Sequence, residues 1–344
     1  MAVYCTYFDH RYLVRGLALY QSLLDHASPF RLYILCLSQL CFQILLSLKL
    51  PNVYLLTLDD LEQADPELAA TRNNRSLVEY YFTCTPVLLK HLFRTEAHVE
   101  TLTYLDADLF FFANPAPIFA EIGDGSIGIV PHHYPPALAH MAESHGKFNV
   151  GWLTFRRDGR ADACLSWWRE RCLEWCYDRV EEGKYADQKY LDSWPERFPG
   201  TAVIAHPGAN LAPWNLPSHR LTQHHGRVLV DDRPLIFFHF HRLREIRPWL
   251  YAPRLTDFGA RATTLVRYRL YVPYLRTLRS IHRTLQPLLP SVRVMDSARQ
   301  QTEPLQRSGP PADAGVGVTP ARILEVGRRI LAREYFIFVN DRVI

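Results

Sequence analysis

Over the first hundred residues the period of the hydrophobic pattern switches repeatedly, and this limits the fold more than any composition does. VYCTYFD (3–9), FRLYILCLS (30–38), VYLLTL (53–58) and TLTYLDAD (101–108) are short apolar runs rich in β-branched and aromatic residues, which predicts strands. Between them, YLVRGLALYQSLLDH (12–26), QLCFQILLSLKL (39–50) and SLVEYYFTCTPVLLKHLF (76–93) carry apolar residues at helical spacing. Asp59 and Asp60 read as a turn closing the third strand, and Pro86 is expected to bend its helix or open a second one. Strands alternating with helices build βαβ units and hence an α/β fold around a largely parallel sheet. Ligands of such sheets bind at the carboxyl ends of the strands. No G-x-G-x-x-G or Walker loop is present, so those two nucleotide-binding designs are unsupported.

Further along, GSIGIVPHHY (125–134) and FNVGWLTFRRD (148–158) predict strands, and ADACLSWWRERCLEWCYDRVEEG (161–183) predicts a helix. DQKYLDSW (187–194) begins another short helix, and LIFFHFHRL (235–243) reads as a final buried strand. The pattern divides the chain into a main domain over 1–255, a basic helical extension over 256–290, a linker poor in core formers over 291–320, expected to be disordered, and an amphipathic helix with a short strand over 321–344. Charge follows the same division. Residues 251–344 hold 15 Arg, no Lys and 7 acidic residues, a net +8. Since the whole chain is at +4, residues 1–250 sit at −4. The RATTLVRYRLYVPYLRTLRSIHR segment (261–283) suits either a helix lying on anionic lipid headgroups or an Arg-rich helix packed on the main domain. No nucleic-acid-binding motif accompanies the charge, so nucleic acid is not an expected partner.

Seven cysteines, at 5, 36, 41, 84, 164, 172 and 176, form no C-x-x-C pair. Cys172 and Cys176 stand four apart without a second ligand pair nearby, so buried free thiols are expected rather than a zinc site. The opening MAVYCTYFDH lacks the basic and apolar regions of a signal peptide, and the most apolar stretch is interrupted by Ser38, Gln39, Gln43 and Ser47. The expected location is the cytoplasm, with peripheral contact at the inner face of the membrane through the basic region.

The chemistry centres on TYLDADLFFFANP (103–115). Carboxylates resist burial unless they are paired or hold a metal, yet Asp106 and Asp108 follow an apolar strand and precede three phenylalanines. Residues i and i+2 of a strand share a face, so the two carboxylates can converge on one divalent cation, Mg²⁺ or Mn²⁺, which leaves positions open for phosphate oxygens. In FFHFHRLREIRPW, His239 or His241 can add an imidazole to the same ion, and Arg242, Arg244 and Arg247 are candidates to contact phosphate.

Four motifs, in this order, resemble the A-type nucleotide-sugar glycosyltransferases, in particular glycosyltransferase family 8 with its glycogenin-like and lipooligosaccharide galactosyltransferase-like enzymes. YLDAD resembles the D-x-D metal site, FNVGWLTFRRD the F-N-[ST]-G strand, ADQKYL the D-Q-x-x-L helix start, and FHFHRLREIRPW the closing H-[YF]-x-G-x-x-K-P-W segment. The similarity spans about residues 1–250, and the chain departs from the pattern at Val150, Arg242 and Arg247. Matching the HF strand end selects His239 as the ligand; counting back from Pro248-Trp249 selects His241; the first is preferred.

The resemblance implies a Rossmann-like, mostly parallel sheet flanked by helices, the A-type glycosyltransferase fold, with a basic helical C-terminal extension. It implies transfer of a hexose from a UDP-sugar to a glycan or lipid-linked acceptor, with retention of configuration. Asp106, Asp108 and His239, with His241 as the alternative, would hold Mn²⁺ or Mg²⁺. Thr6, Tyr7 and Tyr12 would cradle the nucleoside, Asn149 would contact the donor sugar, and Arg247 would take the place of a phosphate-binding Lys. Asp187 and Gln188 would lie at the reacting face of the sugar, although Asp187 also suits a plain helix N-cap. Asn210, Trp214 and Asn215 in NLAPWNL suit an acceptor pocket, where Trp stacks on a sugar face, or a loop that plugs the core. PHHYPP (131–136) is a weaker candidate for the acceptor entrance. Two other functions compete. A sugar nucleotidyltransferase needs a Gly-rich basic loop after the first strand, which TYFDHRYLVRG matches poorly. The other is a non-catalytic nucleotide- or glycan-binding protein.

Overall fold

A computed structural model describes residues 1–288, 335–339 and 342–343. The first strands and helices fall where the periodicity puts them: β1 (Ala2–Phe8), α1 (Leu13–His26), β2 (Phe30–Cys36), α2 (Gln39–Leu48) and β3 (Val53–Thr57). Asp59 and Asp60 do not make a turn. They occupy the first turn of α3 (Leu58–Ala64), where Thr57 caps the helix and Asp60 bonds back to the Thr57 amide. Pro66 opens α4 (Pro66–Thr71). Ser76 and Glu79 form a second capping box at the head of α5 (Leu77–Thr95), which continues through Pro86.

β4 (Thr101–Leu105) stops before the two aspartates, because the Leu109 amide turns back onto the Asp106 carbonyl at 3.2 Å. Then follow β5 (Leu109–Phe111), α6 (Ala116–Ile122), β6 (Ile127–Pro131), α7 (Ala139–His145) and β7 (Phe148–Arg156). α8 (Gly159–Glu174) ends well short of residue 183. Its last carbonyls are taken up from outside: Arg75 Nη2 donates to Leu173 O at 3.1 Å, and the Tyr190 hydroxyl donates to Trp175 O at 2.7 Å. The next elements are α9 (Trp194–Arg197), β8 (Thr201–Val203), and the antiparallel β9 (Leu221–His224), β10 (Arg227–Val230) and β11 (Arg233–Pro234). β12 (Phe237–His239) is only the core of the strand expected over 235–243, and it is not the last one. β13 (Arg244–Arg247), β14 (Leu250–Ala252), α10 (Val272–Leu285), β15 (Phe336–Val339) and β16 (Arg342–Val343) complete the described residues.

The central sheet has seven strands in the order β3-β2-β1-β4-β7-β6-β8. Every pair in it is parallel except those of β7, which runs antiparallel to both β4 and β6. Alternate strand residues feed two cores. Tyr4 and Leu32 pack toward α1, α2 and α10, while Cys5 and Tyr33 pack toward α5 and α8. This Rossmann-like, mostly parallel sheet covered by helices on both faces is the fold the motif resemblance implies.

The basic extension packs on the main body. Tyr274, Leu275, Leu278 and Leu285 of α10 are buried, and the Tyr274 ring stacks on Phe240 at 3.8 Å. Arg276 and Arg283 are exposed on the same helix. β15 pairs with β14, and Arg267 donates to the Tyr335 carbonyl at 3.0 Å. The linker expected over 291–320 lies outside the described residues, as do residues 321–334 of the 321–344 segment expected to form an amphipathic helix and a short strand. All seven cysteines are free and buried. Among the described residues, no helix is long and apolar enough to cross a membrane.

Candidate active site

The aspartates and the distant histidine meet through a small two-stranded ladder. β5 pairs antiparallel with β12, setting Phe111 against Phe237, Phe110 against Phe238, and Leu109 against His239. The phenylalanine run is therefore the rail on which His239 is carried to Asp108. The Phe237 ring stacks on Trp152 at 5.5 Å and the Phe240 amide bonds to the Asp108 carbonyl at 3.0 Å, which fixes the ladder in the core.

At its end, His239 Nε2 lies 3.0 Å from Asp108 Oδ1 and 3.7 Å from Asp106 Oδ2. One ligand atom from each of the three residues lies within 4.8 Å of the others. The Tyr104 hydroxyl donates to Asp106 Oδ1 at 2.8 Å, so the other oxygen of that carboxylate faces the group. Two carboxylate oxygens and one imidazole nitrogen around a single point suit Mn²⁺ or Mg²⁺. The electrostatics agree. Burial tends to lift the Asp108 carboxyl, but the His239 imidazole bonded to it and the nearby Arg15 hold it well below the usual carboxylate range. Asp106 is displaced upward, chiefly by burial and with Asp108 adding to it. His239 is pushed up by Asp108 and Asp106 against the opposing effect of burial. The pair thus favours a positive charge on its third member or between them. His241 is not part of the group: its ring packs on Trp214 at 5.3 Å, and burial holds it down to about 3.

These three residues line a cleft of about 310 Å³, with Tyr7, Tyr12, Asn149, Asp187 and Gln188. Asp187 is 4% exposed, and burial pushes its carboxyl up to about 7, with Asp106 adding to the effect. It does not act as a side-chain helix cap. Its Oδ2 accepts the Thr85 hydroxyl at 2.9 Å, and the Tyr7 hydroxyl lies 3.1 Å from the same Thr85 oxygen. Gln188 donates from Nε2 to the His145 carbonyl at 2.9 Å, while its Oε1 accepts from Asn149 Nδ2 at 3.0 Å. Tyr12 precedes α1 and lies under the Arg15 guanidinium, 4.6 Å from its ring centroid.

Other expected residues lie elsewhere. Thr6 is buried outside the cleft lining, and its hydroxyl has no partner. Arg247 is exposed on β13 and does not line the cleft. The cleft arginines are Arg11, Arg15, Arg242, Arg244 and Arg254. Of Asn210, Trp214 and Asn215 only Trp214 lines the cleft, its indole donating to the His132 carbonyl at 3.0 Å; His132 and Tyr134 of the PHHYPP segment line it as well. Asn215 is buried and bonds to the His132 and Asn210 carbonyls, both at 2.9 Å; Asn210 donates to the Pro131 carbonyl at 3.1 Å. Both asparagines hold the loop rather than open onto the cleft.

Sequence reasoning missed Thr85, Tyr104 and Arg15. Tyr104 carried a signal, since it stands two residues before Asp106 on the same strand register. Thr85 and Arg15 carried only a weak one, a polar residue on the buried side of an otherwise apolar helix.

No family model matches the chain. Two proteins of Bacillus subtilis (strain 168), both described as uncharacterized, are similar to it. YfnD is 34% identical over 239 residues, covering 69% of this chain and 76% of YfnD. YfnF is 34% identical over 252 residues, covering 71% of this chain and 82% of YfnF. Similar solved structures are glycosyltransferases at lower identity. The galactosyltransferase LgtC, in complex with donor and acceptor sugar analogs, is 16% identical with a TM-score of 0.47, over 88% of this chain and 100% of that one. Apo mouse xyloside xylosyltransferase 1 is 12% identical with a TM-score of 0.46, over 70% and 98%. GlyE of Streptococcus pneumoniae TIGR4 is 14% identical with a TM-score of 0.44, over 83% and 63%.

Proposed function

The chain belongs to one family with YfnD and YfnF, and we propose that it is a metal-dependent glycosyltransferase, moving a hexose from a UDP-sugar to a glycan or lipid-linked acceptor with retention of configuration. The observation that carries this reading is the convergence of Asp106, Asp108 and His239 on one point of the cleft that also holds Asp187 and Gln188. Three of the four ordered sequence motifs contribute these same residues. UDP and the hexose rest on the motif resemblance alone.

Asp106, Asp108 and His239 hold the divalent cation. When bound, that cation neutralises charge on the leaving diphosphate. Tyr7 and Tyr12 offer aromatic surface to the nucleoside, and Arg15, Arg242 and Arg254 bring positive charge to the same cleft. Asp187 and Gln188 orient the donor sugar, and the acceptor hydroxyl attacks within the same cleft, to whose lining Tyr134, Trp214 and Phe258 add apolar surface. The exposed arginines of α10 fit contact with an anionic membrane surface, which would bring a lipid-linked acceptor within reach.

The test is a panel of nucleotide sugars, with and without Mn²⁺, comparing the wild type with Asp106→Asn. The expected result is Mn²⁺-dependent UDP release that the variant loses. Saturating donor, at about 100 times Kd, should also stabilise the protein by about 2.7 kcal/mol. Absence of both turnover and stabilisation across the panel would sink the proposal.

A further inference from the structure

We propose that Asn149 is a positioning residue, one that locks the His239 imidazole toward the cation and ties it to the Gln188 carboxamide, instead of contacting the donor. The proposal rests on the metal-site reading above. Asn149 is 6% exposed, and every hydrogen-bonding position of its amide has a partner within the protein. Its Oδ1 lies 3.2 Å from His239 Nδ1 and accepts the Gly151 amide at 3.1 Å. Its Nδ2 donates to Gln188 Oε1 at 3.0 Å and lies 3.3 Å from His132 Nε2. Two lone pairs and two N–H groups are thereby spent.

The Gly151 amide fixes which way the Asn149 side chain points. With oxygen and nitrogen exchanged, the Asn149 NH₂ would face a backbone N–H, donor against donor. The oxygen must therefore face Gly151, and so also His239 Nδ1. An amide oxygen can only accept, so Nδ1 keeps its proton, and a cation that displaces the Nε2 proton held by Asp108 would meet the Nε2 lone pair at the point shared with Asp106 and Asp108. His132 is held neutral by burial, down to about 3, which leaves its Nε2 able to accept from the Asn149 amide.

A break in the pairing of β7 with β6 makes this arrangement possible. Ile129 pairs with Leu153, but the next residue, Val130, pairs with Asn149, so residues 150–152 bulge from the ladder. Within the bulge the Gly151 carbonyl accepts the Asp106 amide at 3.1 Å. A Cβ at Gly151 would lie 2.5 Å from Asn149 Oδ1 and 3.1 Å from His239 Nδ1, so the space between them exists only because residue 151 is glycine. The N-x-G spacing thus serves the third ligand, while the same bulge secures the backbone of Asp106.

The experiment is an electron paramagnetic resonance titration of free Mn²⁺ against wild type, Asn149→Ala and Asn149→Asp, with kcat and KM on whichever donor is turned over. Asn149→Ala removes the imidazole's acceptor and should weaken Mn²⁺ binding by about 10–100-fold. Asn149→Asp keeps an acceptor for Nδ1–H but no longer donates to Gln188. It should bind Mn²⁺ within a few-fold of wild type while kcat falls. Melting curves of both variants check that they fold. Wild-type-like Mn²⁺ affinity in Asn149→Ala, with only the donor KM raised, would overturn the proposal and leave the metal site standing. Equal loss of Mn²⁺ affinity in both variants would also overturn it. A wild type that binds no Mn²⁺ removes the metal-site reading and this inference with it.

Discussion

Replacing Asp187 by Asn should remove activity and yet make the protein more stable, increasingly so as pH rises. Burial moves this carboxyl from its ordinary 3.8 to about 7, and Thr85 is the side chain that donates to it. At 1.36 kcal/mol per pH unit, ionising it in the folded state above pH 7 costs about 4 kcal/mol relative to the unfolded chain. The sign follows from the direction: the folded state binds this proton more tightly than the unfolded state. Its contribution is therefore fully present below the unfolded value and is lost as pH rises through about 7. An amide in its place carries no such dependence and can still bond to Thr85. The stability gap in favour of Asp187→Asn should grow by about 2.5 kcal/mol between pH 5 and pH 8. The measurement is calorimetric or denaturant unfolding of both proteins in EDTA, since a bound cation would change the field from Asp106. A gap that does not change with pH would refute the argument, because it would mean that Asp187 titrates alike in folded and unfolded chains.

Two further substitutions probe the scaffold. Gly151→Ala should weaken Mn²⁺ binding and cost about 1–3 kcal/mol, because the added methyl overlaps Asn149 Oδ1; unchanged affinity by isothermal titration would count against the role given to the bulge. Arg157 donates to the carbonyls of Phe93, Glu96 and Val99 at 2.8, 2.7 and 2.8 Å, closing the end of α5. Arg157→Ala should destabilise by about 2–4 kcal/mol without altering metal affinity, and a loss under 0.5 kcal/mol by denaturant unfolding would show that water replaces it.

The half of the fold that obeys one simple period was legible from the sequence. β1, β2, α1 and α5 were readable because each presents an unbroken apolar stripe or alternation to one of two cores. Asp59 and Asp60 misled because the same residue type that favours turns also caps helices, and only Thr57, the residue before the helix, decides between them. The 161–183 helix was read too long because its periodicity outlasts its hydrogen bonding; Arg75 and Tyr190, both remote in sequence, terminate it. Asp106 and Asp108 were legible as polar residues in an apolar context. Thr85 and the orientation of Asn149 were not, since each depends on which side chains a bulge and a helix face bring together. His239 and His241 could not be separated by counting residues, but the three-residue ladder with β5 separates them.

That ladder also bears on how the chain is made. Asp108 and His239 stand 131 positions apart. Closing so long a loop has a large entropy cost, which is met only once the sheet between them has formed. A growing chain leaving the ribosome would carry its two aspartates for the whole synthesis of β6 through β11 before their partner arrived. A proteolytic fragment ending before residue 237 would hold all seven strands of the central sheet but no complete cation site. On the proposed metal-site reading, cation binding would mark a chain made at least through β12, and a time course of Mn²⁺ uptake during refolding would report one of the last long-range contacts to form.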